Sequence, residues 1–134
     1  RCGGRLDPAK SERLSMIIIA GTLEFKDSPA RDEATRQSRV LQLATREEEE
    51  GCYAYSFAPD PCVPTRIQVY ELWADEDSLA AHFEHLNYVA MRDLLRSSGL
   101  VESETRKYRI SLAEPVYDEN RVPRADFFTD DQLG

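Results

Sequence analysis

The apolar patterns along this chain run strand, helix, strand, strand, helix, strand. That order predicts an α+β protein with a four-stranded antiparallel sheet and both helices on one face. Three features carry the expectation. Alternating or β-branched apolar runs mark the strands, and a helical recurrence of apolar residues marks the second helix. Asp27-Ser28-Pro29 and Asp75-Glu76-Asp77-Ser78 supply the helix starts. The arrangement is the split βαβ, or ferredoxin-like, topology.

Leu14 to Phe25 (LSMIIIAGTLEF) is β-branched and apolar over a length suited to the first strand. Asp27 then caps, and Pro29 opens, a helix whose loose stripe is Ala30, Ala34, Val40, Leu41 and Ala44. The acidic run Glu47 to Glu50 is expected to be a solvated helix end, and Gly51 to stop the helix. Cys52 to Ala58 forms the second strand, with Tyr53, Tyr55 and Phe57 sharing a face. Thr65 to Ala74 forms the third, alternating Ile67, Val69, Glu71 and Trp73 against Arg66, Gln68, Tyr70 and Leu72. These two strands and the proline-rich turn between them read as a hairpin. The second helix begins at Asp75 and ends at Ser97-Ser98-Gly99, with Leu79, Phe83, Leu86, Ala90 and Leu94 as its apolar stripe. Val101 to Leu112 completes the sheet.

A length of 134 residues fits one domain. Residues 1–14 read as a flexible head or cloning remnant, and 15–113 as the folded domain. Residues 114–134 read as a tail, too apolar at Val116, Tyr117, Val122, Phe127 and Phe128 for a plain linker, which is expected to reach a partner subunit. One sheet face stays bare in such a protomer, so a second copy is expected to cover it as a homodimer.

The balance of 17 basic and 25 acidic residues, a formal net charge of −8, argues against nucleic acid or an anionic membrane as partner. Met16 to Gly21, the longest apolar run, is far short of the roughly 20 residues that span a bilayer. Cys2, Cys52 and Cys62 leave one thiol unpaired under any disulfide scheme, so a reducing cytoplasm is the expected setting.

Glu71 shares a strand face with Trp73, a place where a carboxylate must open to water or find a partner. His82 borders the apolar stripe of the helix that follows. A strand end and the next helix start are neighbours, so Glu71, Trp73 and His82 are expected to converge on one cavity. Such a group can bind a flat aromatic molecule and move a proton. Plainer roles compete: Trp73 as core, Glu71 as the partner of an arginine, His82 as a structural hydrogen-bonding residue. His85 is expected to face solvent, and Cys52, with no basic neighbour in sequence, to be a buried inert thiol. His82 and His85 have no third ligand at local spacing, so no metal is expected.

Glu71-x-Trp73, the acidic helix start, Leu79 and His82 resemble the antibiotic biosynthesis monooxygenase family of dimeric α+β barrels. The resemblance spans Leu14 to Leu112. Where the family often has a second histidine before an aromatic residue, this chain has Asn87 before Tyr88. The resemblance implies oxygenation of a small aromatic, anthrone or quinol-type (quinone-like) metabolite by dioxygen, in a homodimer, without flavin, haem or metal. For that chemistry His82 and Glu71 are the expected catalytic residues, and Trp73 is expected to stack on the substrate or shape its pocket. Tyr53, Tyr55, Tyr88 or Asn87 would donate hydrogen bonds to a substrate oxygen, and Arg92 would attract the anion. Haem-degrading proteins of this fold carry an asparagine on the first strand, which Ile17 to Thr22 lacks. Two other functions fit the same cavity: isomerisation of a small carbonyl compound, and non-catalytic binding of a small molecule by a dimer.

Overall fold

The computed structural model describes residues 15–129. Strands β1 (Ile17–Phe25), β2 (Cys52–Pro59), β3 (Arg66–Trp73) and β4 (Leu100–Arg109) form one antiparallel sheet in the order β2-β3-β1-β4. Helix α1 (Ser28–Glu48) joins β1 to β2, while α2 (Glu76–Glu84) and α3 (Leu86–Ser97) join β3 to β4. The topology is α+β and ferredoxin-like, as the order of patterns predicts. The residues expected to form a flexible head lie outside the described residues.

Local chemistry explains where the helices begin. The Asp27 carboxylate accepts the Ala30 N–H at 2.9 Å, and Asp75 accepts the Ser78 N–H at 2.8 Å. The expected single second helix is instead two. His85 takes an extended backbone conformation, and its Nδ1 accepts the Asn87 N–H at 3.0 Å, so it ends α2 and caps α3. One extended residue breaks the 3.6-residue phase, and the stripe expected across 79–94 does not hold. Leu79, His82, Met91 and Leu95 are buried, whereas Phe83 is half exposed and Leu86 lies open to solvent.

The β2–β3 hairpin forms with a second correction. Cys52 pairs with Trp73 and Ala54 with Leu72, which leaves Tyr53 as the extra residue of a bulge. Cys52, rather than Tyr53, therefore shares the core with Tyr55 and Phe57. As an edge strand, β2 has outward backbone groups to satisfy. Gln42 of α1 accepts the Phe57 N–H and donates to its carbonyl, both at 3.0 Å, and Arg46 donates to the Tyr55 carbonyl at 2.7 Å. Tyr55 is thereby fixed in place.

The helix-facing side of the sheet contributes Ile17, Leu23, Phe25, Ile67, Val69 and Trp73 to one core, closed by Ala34, Leu79, Met91 and Leu95. Gly21 lets β4 approach β1, since a Cβ there would stand 2.1 Å from the Glu104 carbonyl oxygen. The opposite face carries the exposed Tyr70 and Tyr108. Part of the tail folds on itself: Tyr117 bridges to Pro123, and the Glu114 carboxylate accepts the N–H groups of Phe128 and Thr129. Among the described residues no helix is long and apolar enough to cross a membrane.

Candidate functional site

His82 is 2% exposed, and its Nδ1 lies 2.7 Å from Glu49 Oε1. Glu49 follows the last residue of α1, where an extended backbone conformation turns the chain toward Gly51. The expectation of a solvated acidic helix end therefore fails at this one residue, whose side chain is only 4% exposed. Burial pushes the Glu49 carboxyl up. The hydrogen bond and charge of His82, with the amide of Asn87 at 3.1 Å, outweigh burial and hold it below the usual carboxylate range. An ionised carboxylate at Nδ1 makes that nitrogen the N–H donor, so neutral His82 carries its lone pair on Nε2. Nε2 has no hydrogen-bond partner among the described residues.

Aromatic rings hold the imidazole on several sides. Trp73 lies against it with centroids 4.5 Å apart and planes inclined at 35°. Tyr55 and Tyr88 meet it edge-on at 5.5 and 5.4 Å. The ring can neither tilt nor slide without displacing one of them.

His82 lines a cleft of about 390 Å³ between the sheet and α3, within the roughly 300–1,000 Å³ typical of small-molecule sites. Glu71 and Tyr55, directly opposite one another on β3 and β2, line the same cleft. Trp73 Nε1–H donates to Glu71 Oε1 at 2.9 Å, and Oε2 has no hydrogen-bond partner among the described residues. Burial raises the Glu71 carboxyl above its ordinary value, despite the Trp73 hydrogen bond and the nearby His82. Burial likewise pushes the Tyr55 hydroxyl up, so it stays a hydrogen-bond donor. The cleft thus joins the ring of His82, oriented by Glu49, with two groups whose burial favours their protonated forms.

The other sequence-predicted residues distribute unevenly. Tyr88 and Arg92 line the cleft, the Arg92 guanidinium lying 5.9 Å from the Tyr88 ring centroid. Trp73 is fully buried behind His82 and does not line the cleft, nor does Tyr53. Asn87 points to Glu49 rather than into the cleft. His85 is partly exposed and serves as the α3 cap. Sequence reasoning missed Glu49 because nothing in a run of four glutamates distinguishes one of them; its position two residues before the helix-stopping Gly51 is the only signal. Cys52 is buried, and among the described residues no three His, Cys, Asp or Glu side chains are grouped to hold a metal ion.

A family model described as antibiotic biosynthesis monooxygenase matches residues 16–94. No curated protein matches the sequence. Among solved structures, a candidate antibiotic biosynthesis monooxygenase from Caulobacter crescentus CB15 is 18% identical, with a TM-score of 0.66 over 74% of this chain and 92% of that one. A Bacteroides thetaiotaomicron VPI-5482 protein, described as an oxidoreductase candidate of unknown function, is 22% identical, with a TM-score of 0.63 over 72% of this chain and 98% of that one. A conserved Methanosarcina mazei Go1 protein is 26% identical, with a TM-score of 0.59 over 72% and 93%.

Proposed function

The chain belongs to the antibiotic biosynthesis monooxygenase family, and on that premise we propose that it oxygenates an electron-rich aromatic, anthrone or quinol-type molecule with dioxygen beside His82. The observation that carries this reading is the buried Glu49–His82 pair, whose free nitrogen belongs to a ring lining an apolar cleft.

An anthrone-type methylene set against Nε2 loses a proton to it, and Glu49 stabilises the imidazolium that results. The carbanion is electron-rich enough to reduce dioxygen directly. A C–O bond forms, and the imidazolium proton completes a hydroperoxide. His82 then removes the second proton from the same carbon. The O–O bond breaks, the carbonyl forms, and hydroxide leaves to become water with that proton. One oxygen atom enters the substrate and the other leaves as water, so no external reductant is consumed. Tyr55 donates a hydrogen bond to the substrate oxygen as charge develops there, and Glu71, whose burial favours its protonated form, stands beside it. Trp73 acts from behind, fixing the planes of both His82 and the Glu71 carboxyl.

A carboxyl raised by burial and an imidazole on one cleft also favour a second reading, isomerisation of a small carbonyl compound. Oxygen-electrode measurements on purified protein separate the two. Consumption of one dioxygen per anthrone or hydroquinone supports oxygenation, whereas isomerised product from a keto substrate under argon, with no oxygen uptake, supports isomerisation. Inertness in both assays leaves the binding role alone. A second copy of the chain is proposed to cover the face bearing Tyr70 and Tyr108. Sedimentation at twice the protomer mass is expected, and a monomer at micromolar concentration contradicts it.

A further inference from the structure

The cleft has a second polar end, opposite His82. Along α3, Tyr88 packs on His82, and Arg92 and Arg96 follow at the next two turns on the side that lines the cleft. At 1.5 Å rise per residue, Arg96 stands about 12 Å along the helix from Tyr88. The sheet runs in step with this. Ile19 pairs with Glu71, and Leu23 pairs with Ser103. At the rise of a strand, those two rows are about 13 Å apart. Between the ends the walls are apolar: Val69, Leu23, Met91, Leu95 and Leu100.

The charge at the far end runs against that of the chain. The formal net charge is −8, yet the charged groups lining this end are the guanidinium groups of Arg92 and Arg96. Arg92 shares its charge with Asp93, Nη2 to Oδ1 at 3.3 Å. Arg96 has no carboxylate partner among the described residues. From the facing wall, Ser103 of β4, in the Leu23 row, brings a hydroxyl group to the same end, and Thr105 lies one row nearer the middle.

We propose that this end is an anion subsite, in which Arg96 with Arg92 takes a carboxylate carried by the substrate far from its reacting carbon. Ser103 supplies a further donor. Guanidinium groups suit a planar carboxylate because they offer paired N–H donors in matching geometry. The substrate is then an elongated, fused-ring aromatic acid, not a single-ring neutral quinol. This deepens the oxygenase reading and rests on it for the placement of the reacting carbon at His82.

The test uses binding rather than turnover. Anthraquinone-2-carboxylate and anthraquinone-2-carboxamide, neither of which carries an oxidisable methylene, are titrated calorimetrically into the full chain. The carboxylate is expected to bind about tenfold tighter, with the advantage shrinking as salt rises. Arg92→Gln/Arg96→Gln is expected to abolish the preference by weakening the carboxylate about tenfold more than the carboxamide, with thermal stability unchanged. His82→Ala is expected to keep it. Equal binding of the two ligands, binding of neither, or a preference that survives the double substitution overturns the subsite. Oxygen uptake on a neutral anthrone without any carboxylate preference overturns the subsite and leaves oxygenation standing. A preference without oxygen uptake on any anthrone does the reverse.

Discussion

Glu49 Oε1 and His82 Nδ1 meet at 2.7 Å, joining the end of α1 to the last turn of α2 through two side chains almost wholly removed from solvent. A buried pair of this kind is costly to break from one side, because the remaining partner stays buried alone. His82→Ala is therefore expected to cost roughly 3–5 kcal/mol in stability and to lower kcat by about 10²–10⁴. Glu49→Gln keeps a hydrogen-bond acceptor but removes the charge that stabilises the imidazolium. It should lower kcat while leaving KM nearly unchanged. Steady-state kinetics and denaturant unfolding check both variants, and an unchanged kcat in Glu49→Gln contradicts the assignment.

The two buried glutamates should act on stability with opposite signs. Glu49 is held below the ordinary carboxylate range, so its contribution is fully present above the unfolded-state value and is lost as pH falls through the lowered one. Glu71 is raised, so folding favours its protonated form, and stability is lost as pH rises from the unfolded-state value through the raised one. Glu71→Gln is accordingly expected to raise Tm at pH 7 and to make no difference near pH 4. Glu49→Gln is expected to lower Tm at pH 7, with the deficit closing in acid. Thermal unfolding across that range measures both, and parallel curves for the two variants contradict the account.

Trp73 gives a way to separate support from contact. It is fully buried, donates to Glu71 and stacks on His82, yet does not line the cleft. Trp73→Phe should cost about 1–3 kcal/mol, since the Glu71 carboxyl loses its donor in a buried setting. It should reduce kcat and leave KM within about twofold, because a residue behind the site makes no uniform contact with bound substrate. Tyr55→Phe, which removes a hydroxyl from the cleft itself, should instead alter kcat/KM with little change in Tm. A large KM effect from Trp73→Phe would place the indole against the substrate.

How far the molecule could be read from its sequence follows from where the signals are local. Alternation in β3 put Ile67, Val69, Glu71 and Trp73 on one face, and the sheet bears this out because a strand admits only two faces. Asp27 and Asp75 announced their caps because an N-cap is made within three residues. The α2–α3 break was hidden because His85 caps through a ring nitrogen, while the residues around it continue an apparently helical period. Glu49 was hidden for a different reason. The direction of a side chain at a helix end depends on the turn that follows and on what α2 brings to meet it, a contact 33 residues away in sequence. Convergence of Glu71 and His82 on one cleft was legible, since both belong to adjacent elements. The carboxylate that orients His82 was not.

The most direct test of the central claim follows proton removal without oxygen. An anthrone incubated with the protein under argon in D₂O should exchange its methylene hydrogens for deuterium faster than in buffer alone, as read by NMR. His82→Ala should return the rate to that of buffer, and Glu49→Gln should fall between. Methylene exchange at the buffer rate with wild-type protein, or exchange undiminished in His82→Ala, would contradict the claim that the Glu49–His82 pair delivers a base to the cleft.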